Sequence, residues 1–133
     1  MDKTTLVESD IEKGKQVINL LIKANFPINY AVWLYSSDKY EGWRLVIATP
    51  KYDDEGPLSA YRELNNVIRN HGTEWILWSK KIQLVSTKDA TIRSLEKDYP
   101  SDKPFPVQTV SGSTSDNIYV EQAYLYPIHK TST

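Results

Sequence analysis

The stretch Ile28–Pro50, INYAVWLYSSDKYEGWRLVIATP, decides the fold. Two runs rich in β-branched and aromatic residues flank a polar connection with one glycine, Ser36–Gly42. That pattern predicts a strand, a connection and a second strand. In the first run Ile28, Tyr30, Val32 and Leu34 share one face, and Ala31, Trp33 and Tyr35 share the other. In the second, Trp43, Leu45, Ile47 and Thr49 alternate with Arg44, Val46 and Ala48. Both faces are largely apolar, so the pair is expected at the centre of a sheet covered on at least one side. The connection exceeds a two-residue turn and does not fix the register.

Upstream, Met1–Glu8 is expected to be loose. Ser9 reads as a helix cap, with Glu12 completing a capping box. Ile11, Val17, Ile18, Leu21 and Ile22 form an apolar stripe at helical spacing. Gly14 lowers helix propensity but permits a close crossing over the sheet. Asn25 and Pro27 mark the exit, because proline disfavours a helical residue before it.

Downstream, Pro50 is expected to end the second strand and KYDDEGP to form a polar loop. Pro57 suits a first helical turn, and Asp53, Asp54 and Glu55 place negative charge before it. A helix is predicted over Leu58–Asn70, with Leu58, Tyr61, Leu64, Asn65 and Ile68 on its inner face and Val67 widening it. Arg62, Glu63, Asn66 and Arg69 point to solvent, and His71-Gly72 supplies the stop. An irregular or helical Trp75–Trp78 then leads into a strand at Ile82–Val85, with one bulged strand across both as the alternative. Ser86 and Asp89 suggest a capping box, with Thr87 as competing cap. The helix they start runs to Asp98 with Ile92 and Leu95 buried. Ser101–Pro106 reads as a loop, Val107–Val110 as a short strand and SGSTSDN as a flexible connector. Ile118–Tyr126 is a strand, with Ile118, Val120, Tyr124 and Tyr126 on one face and Tyr119, Glu121, Ala123 and Leu125 on the other. His129–Thr133 is expected to be a loose tail. The order α-β-β-α-β-α-β-β predicts one mixed α/β (α+β) domain over residues 1–133, a mixed sheet covered by helices.

The chain has 133 residues, which suits a single domain with a core that needs no staple. It has no cysteine, which excludes disulfides and thiolate metal sites and fits a reducing cytoplasm. Formal charge is -1, which gives no broad basic footprint for nucleic acid. The opening residues lack the basic-then-apolar order of a signal peptide, and no apolar run reaches membrane-spanning length. The aromatic balance is unusual: nine Tyr and four Trp against two Phe favour half-buried positions and binding surfaces, where their polar tips stay satisfied.

Motifs for catalysis are lacking. The five glycines form neither a dinucleotide fingerprint nor a P-loop. The small-residue run 111–115 could cradle an anion, but no helix or basic residue follows it. His71 and His129 are distant, so no metal ligand set and no cofactor is expected. Asp53, Asp54 and Glu55, and separately Asp38 with Glu41, read as solvated loops rather than cation sites. No GxSxG elbow supports a small hydrolase. Glu74 and Lys80, with Asp53 or Asp54, offer a nuclease-like set only without the usual strand context. Lys80, Lys81, Lys88 and Arg93 give a local basic excess for nucleic-acid binding.

Elimination and the aromatics point instead to a non-enzymatic protein-interaction or assembly module, with a homodimer as its simplest form. Its candidate residues are Trp33, Tyr35, Arg44, Trp75, Trp78, Tyr119 and Tyr124, since Tyr, Trp and Arg are favoured interface anchors. For Arg44 an internal pair with Glu121 is the competing role. The decisive question is what covers Trp33 and Tyr35: another helix of the chain, or a partner.

The runs WLY at Trp33–Tyr35, GWRLVIATP at Gly42–Pro50, EGP at Glu55–Pro57 and AYLY at Ala123–Tyr126 resemble a widespread group of small bacterial proteins of uncharacterised function. The resemblance spans most of the chain. It implies a bacterial or mobile-element context and supplies no activity, cofactor or site residue.

Overall fold

A computed structural model describes residues 8–36, 42–71, 79–100 and 109–126. The Ile28–Pro50 stretch forms the expected hairpin: β1, Tyr30–Ser36, pairs antiparallel with β2, Gly42–Ala48, with Trp33 opposite Leu45. On the far side of β1 lies β5, Tyr119–Leu125, which pairs in turn with β4, Thr109–Ser113. On the far side of β2 lies β3, Ile82–Val85, in parallel. The sheet order is therefore β3-β2-β1-β5-β4, a mixed sheet with the hairpin at or next to its centre.

Helices close both faces. Helix α1, Glu8–Lys23, and helix α3, Pro57–His71, cover one face. There Val17, Leu21, Ala60, Leu64 and Ile68 pack with Ala31, Trp33, Leu45, Ile47 and Leu84. Helix α4, Ala90–Asp98, covers the other, where Ile92 and Leu95 pack with Tyr30, Val32, Val46, Ala48 and Leu125. The fold is a single mixed α/β domain with helices against a mixed sheet. Because β3 runs parallel to β2, the segment β2–α3–β3 forms a β–α–β crossover.

Helix α1 passes close over the sheet because residue 14 has no side chain. A Cβ there would overlap Tyr126 Oη and lie 3.0 Å from Trp33 Nε1. The helix ends in a Schellman motif: Asn25 takes a φ of 61°, Phe26 N–H donates to the Leu21 carbonyl at 2.9 Å, and Asn25 N–H to that of Ile22 at 3.1 Å. Asn tolerates this left-handed conformation, which explains the stop. Glu8 already belongs to α1, so Ser9 lies within the first turn instead of capping it.

Several expectations are corrected. KYDDEGP is not a loop: Pro50–Glu55 forms a short helix, α2, with Thr49 as its N-cap and Pro50 in its first turn. Proline is preset for that position, so Thr49-Pro50 is a start signal as well as a strand end. Gly56, at φ 88°, breaks α2 from α3 in a conformation that side chains disfavour. Asp89 caps α4 itself, accepting from Ile92 N–H at 3.1 Å, so neither Ser86 nor Thr87 is the cap. Ser111–Ser113 belongs to β4 instead of a flexible connector. Leu58 and Asn65 are exposed, because the buried face of α3 centres on Ala60, Leu64 and Ile68; Ile22 is exposed on α1.

The faces of β5 are also corrected. Val110 pairs with Ala123 but Gly112 pairs with Val120, so two residues of β4 span three of β5. This bulge inserts one residue and reverses the alternation. Val120 joins Ala123 and Leu125 under α4, while Tyr124 and Tyr126 lie on the α1–α3 side.

Candidate functional site

Trp33 leaves the candidate surface. It is 0% exposed, under α1 and α3. Its indole N–H donates to Tyr126 Oη at 2.7 Å, and that hydroxyl donates to the Ile11 carbonyl at 2.7 Å. The chain's own helices answer the covering question for this residue. Burial holds the Tyr126 hydroxyl well above the usual tyrosine range, against the Trp33 bond, which favours its ionised form. Tyr30 is raised in the same way, chiefly by burial, and donates to the Tyr99 carbonyl at 3.0 Å. Tyr30, Trp33 and Tyr126 thus serve as core with satisfied polar tips.

The remaining candidates lie where the helical cover thins. Tyr35 and Trp43 are half-buried neighbours across the hairpin, with ring centroids 5.5 Å apart. Since Tyr35 pairs with Gln122 and Trp33 with Tyr124, Tyr35 and Tyr124 are diagonal neighbours on one face. Tyr124 is half-buried and meets Tyr126 edge-on, with centroids 5.6 Å apart. Trp43, Tyr35 and Tyr124 therefore lie on one face across three strands and form an aromatic rim there. Trp43 was missed as a candidate: its alternation put it with Leu45 and Ile47, and only the register, Tyr35 opposite Trp43, puts it on the face of Tyr35. Its indole N–H is sealed from solvent and has no hydrogen-bond partner among the described residues. Tyr119, at 69% exposure, opens β5 beyond this rim.

Arg44 is not part of the rim. It pairs with Leu34 and alternates with Trp43, so it leaves from the opposite face, and its Nη1 donates to the Lys80 carbonyl at 2.5 Å. The Glu121 side chain lies outside the described residues, as do Trp75, Trp78, Glu74, Asp38, Glu41, His129 and the side chain of His71.

The acids do not converge. Asp53 accepts from the Ser86 and Thr87 hydroxyls, and from Thr87 N–H at 3.2 Å, clasping α2 to the turn after β3. The Ser86 bond leads in holding its carboxyl below the usual range. Glu55 accepts from Ser59 at 2.8 Å and Lys51 at 3.0 Å, which lower it likewise. Among the described residues, no three His, Cys, Asp or Glu side chains could hold one metal ion. The run 111–115 does not hold its N–H groups open: Ser115 N–H donates to Asp98 at 2.9 Å and Thr114 N–H to the Ile118 carbonyl at 2.9 Å. Of the basic residues near β3, Lys81 pairs with Asp10 at 3.2 Å. Lys80 and Lys88 sit beyond opposite ends of the strand, so they do not line one groove. No described helix is long and apolar enough to cross a membrane.

No family model, curated protein or solved structure matches the chain.

Proposed function

We propose that the protein is an interaction or assembly module, with a homodimer as its simplest form and Tyr35, Trp43, Tyr124 and Tyr119 as its contact surface. The observation that carries this reading is the aromatic rim. Helices seal both sheet faces, yet Trp43, Tyr35 and Tyr124 stay half-buried side by side, with Tyr119 beyond them. Rigid aromatics give large contact area at low entropic cost, which suits recognition. Arg44 belongs to this proposal as a residue bracing the Lys80 turn, and Trp75 and Trp78 by sequence alone. The absence of cysteine supports a cytoplasmic setting.

Sedimentation velocity of the full chain across a concentration series tests this. A dimer is expected, and Tyr35→Ser with Tyr119→Ser is expected to shift it toward monomer by about tenfold in dissociation constant. A monomer at every concentration, in the absence of any binding partner that the double variant loses, sinks the proposal.

A further inference from the structure

A second surface lies on the outer side of the helical layer, away from the rim. Lys13, Lys15 and Lys23 of α1 and Arg62 and Arg69 of α3 are all exposed. None of the five is in an ion pair among the described residues. Elsewhere Lys51 is engaged by Glu55 and Glu63, Lys81 by Asp10 and Lys97 by Asp116, whereas Lys80, Lys88 and Arg93 are likewise in no ion pair among the described residues. No acid lies between Lys13 and Lys23, and Glu63, which Lys51 holds, is the one acid of α3. Glu8 and Glu12 of α1 are exposed and in no ion pair among the described residues either, so α1 and α3 together set five such cations against two such acids, a surplus of three positive charges.

The same layer carries Leu58, 72% exposed, and Ile22, 45% exposed. Their spacing suits a buried stripe, yet both are outside. Leu58, Arg62, Asn65 and Arg69 recur at intervals of four, three and four residues. They form one line about 16 Å long on the solvent side of α3, since a helix rises about 1.5 Å per residue.

We propose that this face docks an acidic amphipathic segment of a partner protein. Carboxylates of the segment pair with Arg62, Arg69 and the α1 lysines, and its apolar side chains cover Leu58. Arginine forks suit carboxylates, and an aliphatic side chain beside them suits a helical or extended peptide. Nucleic acid fits less well. Among the described residues the layer has no exposed aromatic to stack on a base, and Leu58 would gain nothing from a phosphate backbone. This surface and the aromatic rim stand or fall separately.

Fluorescence anisotropy tests the proposal on the full chain. The probe is a labelled synthetic peptide of Glu, Leu and Ala with Leu at helical spacing, in about 50 mM salt, where surface charges are incompletely screened. Wild type is expected to bind it. Arg62→Glu with Arg69→Glu is expected to weaken binding at least about tenfold, and the Gln pair at the same sites less than that. Leu58→Ser is expected to weaken it a few-fold, whereas Lys80→Glu with Lys88→Glu leaves it unchanged. Circular dichroism confirms that each variant is folded. Failure of wild type to bind, or equal binding by the Arg62→Glu and Arg69→Glu variant, overturns the proposal. Indifference to Leu58→Ser, with oligo(dT) competing as well as the peptide, overturns it in favour of a polyanion site. Loss of the dimer through Tyr35→Ser and Tyr119→Ser leaves peptide binding intact if the two surfaces are distinct.

Discussion

Replacing Gly14 by alanine sets two effects against each other. In an ordinary helix interior this change stabilises by about 1 kcal/mol, because glycine forfeits more backbone entropy than alanine. Here the new methyl would meet Tyr126 Oη, with Trp33 Nε1 at 3.0 Å and Tyr126 Cζ at 3.1 Å. A tyrosine hydroxyl could normally swing aside. This one accepts from Trp33 and donates to Ile11, each at 2.7 Å, and its ring is buried. Overpacking costs about 1–3 kcal/mol. Displacing the hydroxyl strands the Trp33 N–H, for about 1–3 kcal/mol more. Less the propensity gain, Gly14→Ala is expected to destabilise by about 1–5 kcal/mol.

Tyr126→Phe supplies the control. Alone it strands the same indole N–H, for about 1–3 kcal/mol. In the double variant the methyl occupies space that the hydroxyl has left, so the combined loss should fall short of the sum by about 1–3 kcal/mol. Urea denaturation followed by tryptophan fluorescence measures all three. Gly14→Ala as stable as wild type refutes the account of the crossing. So does additivity within about 0.5 kcal/mol, which would mean that the two sites do not meet.

Trp43→Phe is expected to cost less than about 1 kcal/mol or to stabilise, because it deletes a sealed, unpartnered N–H, whereas Trp33→Phe deletes a paired one and costs about 1–3 kcal/mol; equal losses in denaturant would contradict this. Asp53→Asn reads out the clasp between α2 and the turn after β3. Because the folded pKa of Asp53 lies below its unfolded value, its contribution is complete above the usual carboxylate range and lost as pH falls through the folded pKa. The stability gap between wild type and this variant should therefore close on acidification; a gap that stays constant with pH refutes the assignment. Tyr119→Ser should change stability by under about 0.5 kcal/mol, since the side chain is largely solvated. A larger loss would show that Tyr119 serves the fold and not a partner.

The hairpin was legible because both strands alternate without interruption, and β1 and β2 show the faces that the sequence implies, except that Ile28 precedes β1 and packs on the Trp33 side instead of with Tyr30, Val32 and Leu34. Periodicity failed where the period itself breaks. The bulge opposite Ser111 moves Val120 to the α4 side, and no glycine or proline in YVEQAYL announces it. Thr49-Pro50 was ambiguous for another reason. The same pair ends a strand and starts a helix, and only the hydrogen bond from Lys51 N–H to Thr49 Oγ1 decides between them. On α3, Leu58 fits the stripe by spacing, but Ala60 lies nearer the centre of the buried arc, and a small residue gives a weak signal of it. For the surface, the sequence supplied the residue types and not their partition. Trp33 and Tyr35 share a face by alternation, yet one is sealed under α1 and α3 and the other is half-buried.

That partition changes what aromatic richness means here. A high count of Tyr and Trp first suggests an exposed platform, but Tyr30, Trp33 and Tyr126 are buried, with their polar atoms bonded to Tyr99, Tyr126 and Ile11 respectively. Phenylalanine at residue 126 would leave the Trp33 N–H without its acceptor, so the hydroxyl belongs to the core's own hydrogen bonding. Composition therefore carries no weight for binding at these positions. The weight falls on Tyr35, Trp43, Tyr124 and Tyr119, which the core leaves partly or largely open, although Trp43 and Tyr124 also pack against it. Gly14 links the two halves of this reasoning. By letting α1 descend onto Trp33, it closes the sheet face over that residue, while the Tyr35–Trp43 pair one row farther along the strands stays half-buried.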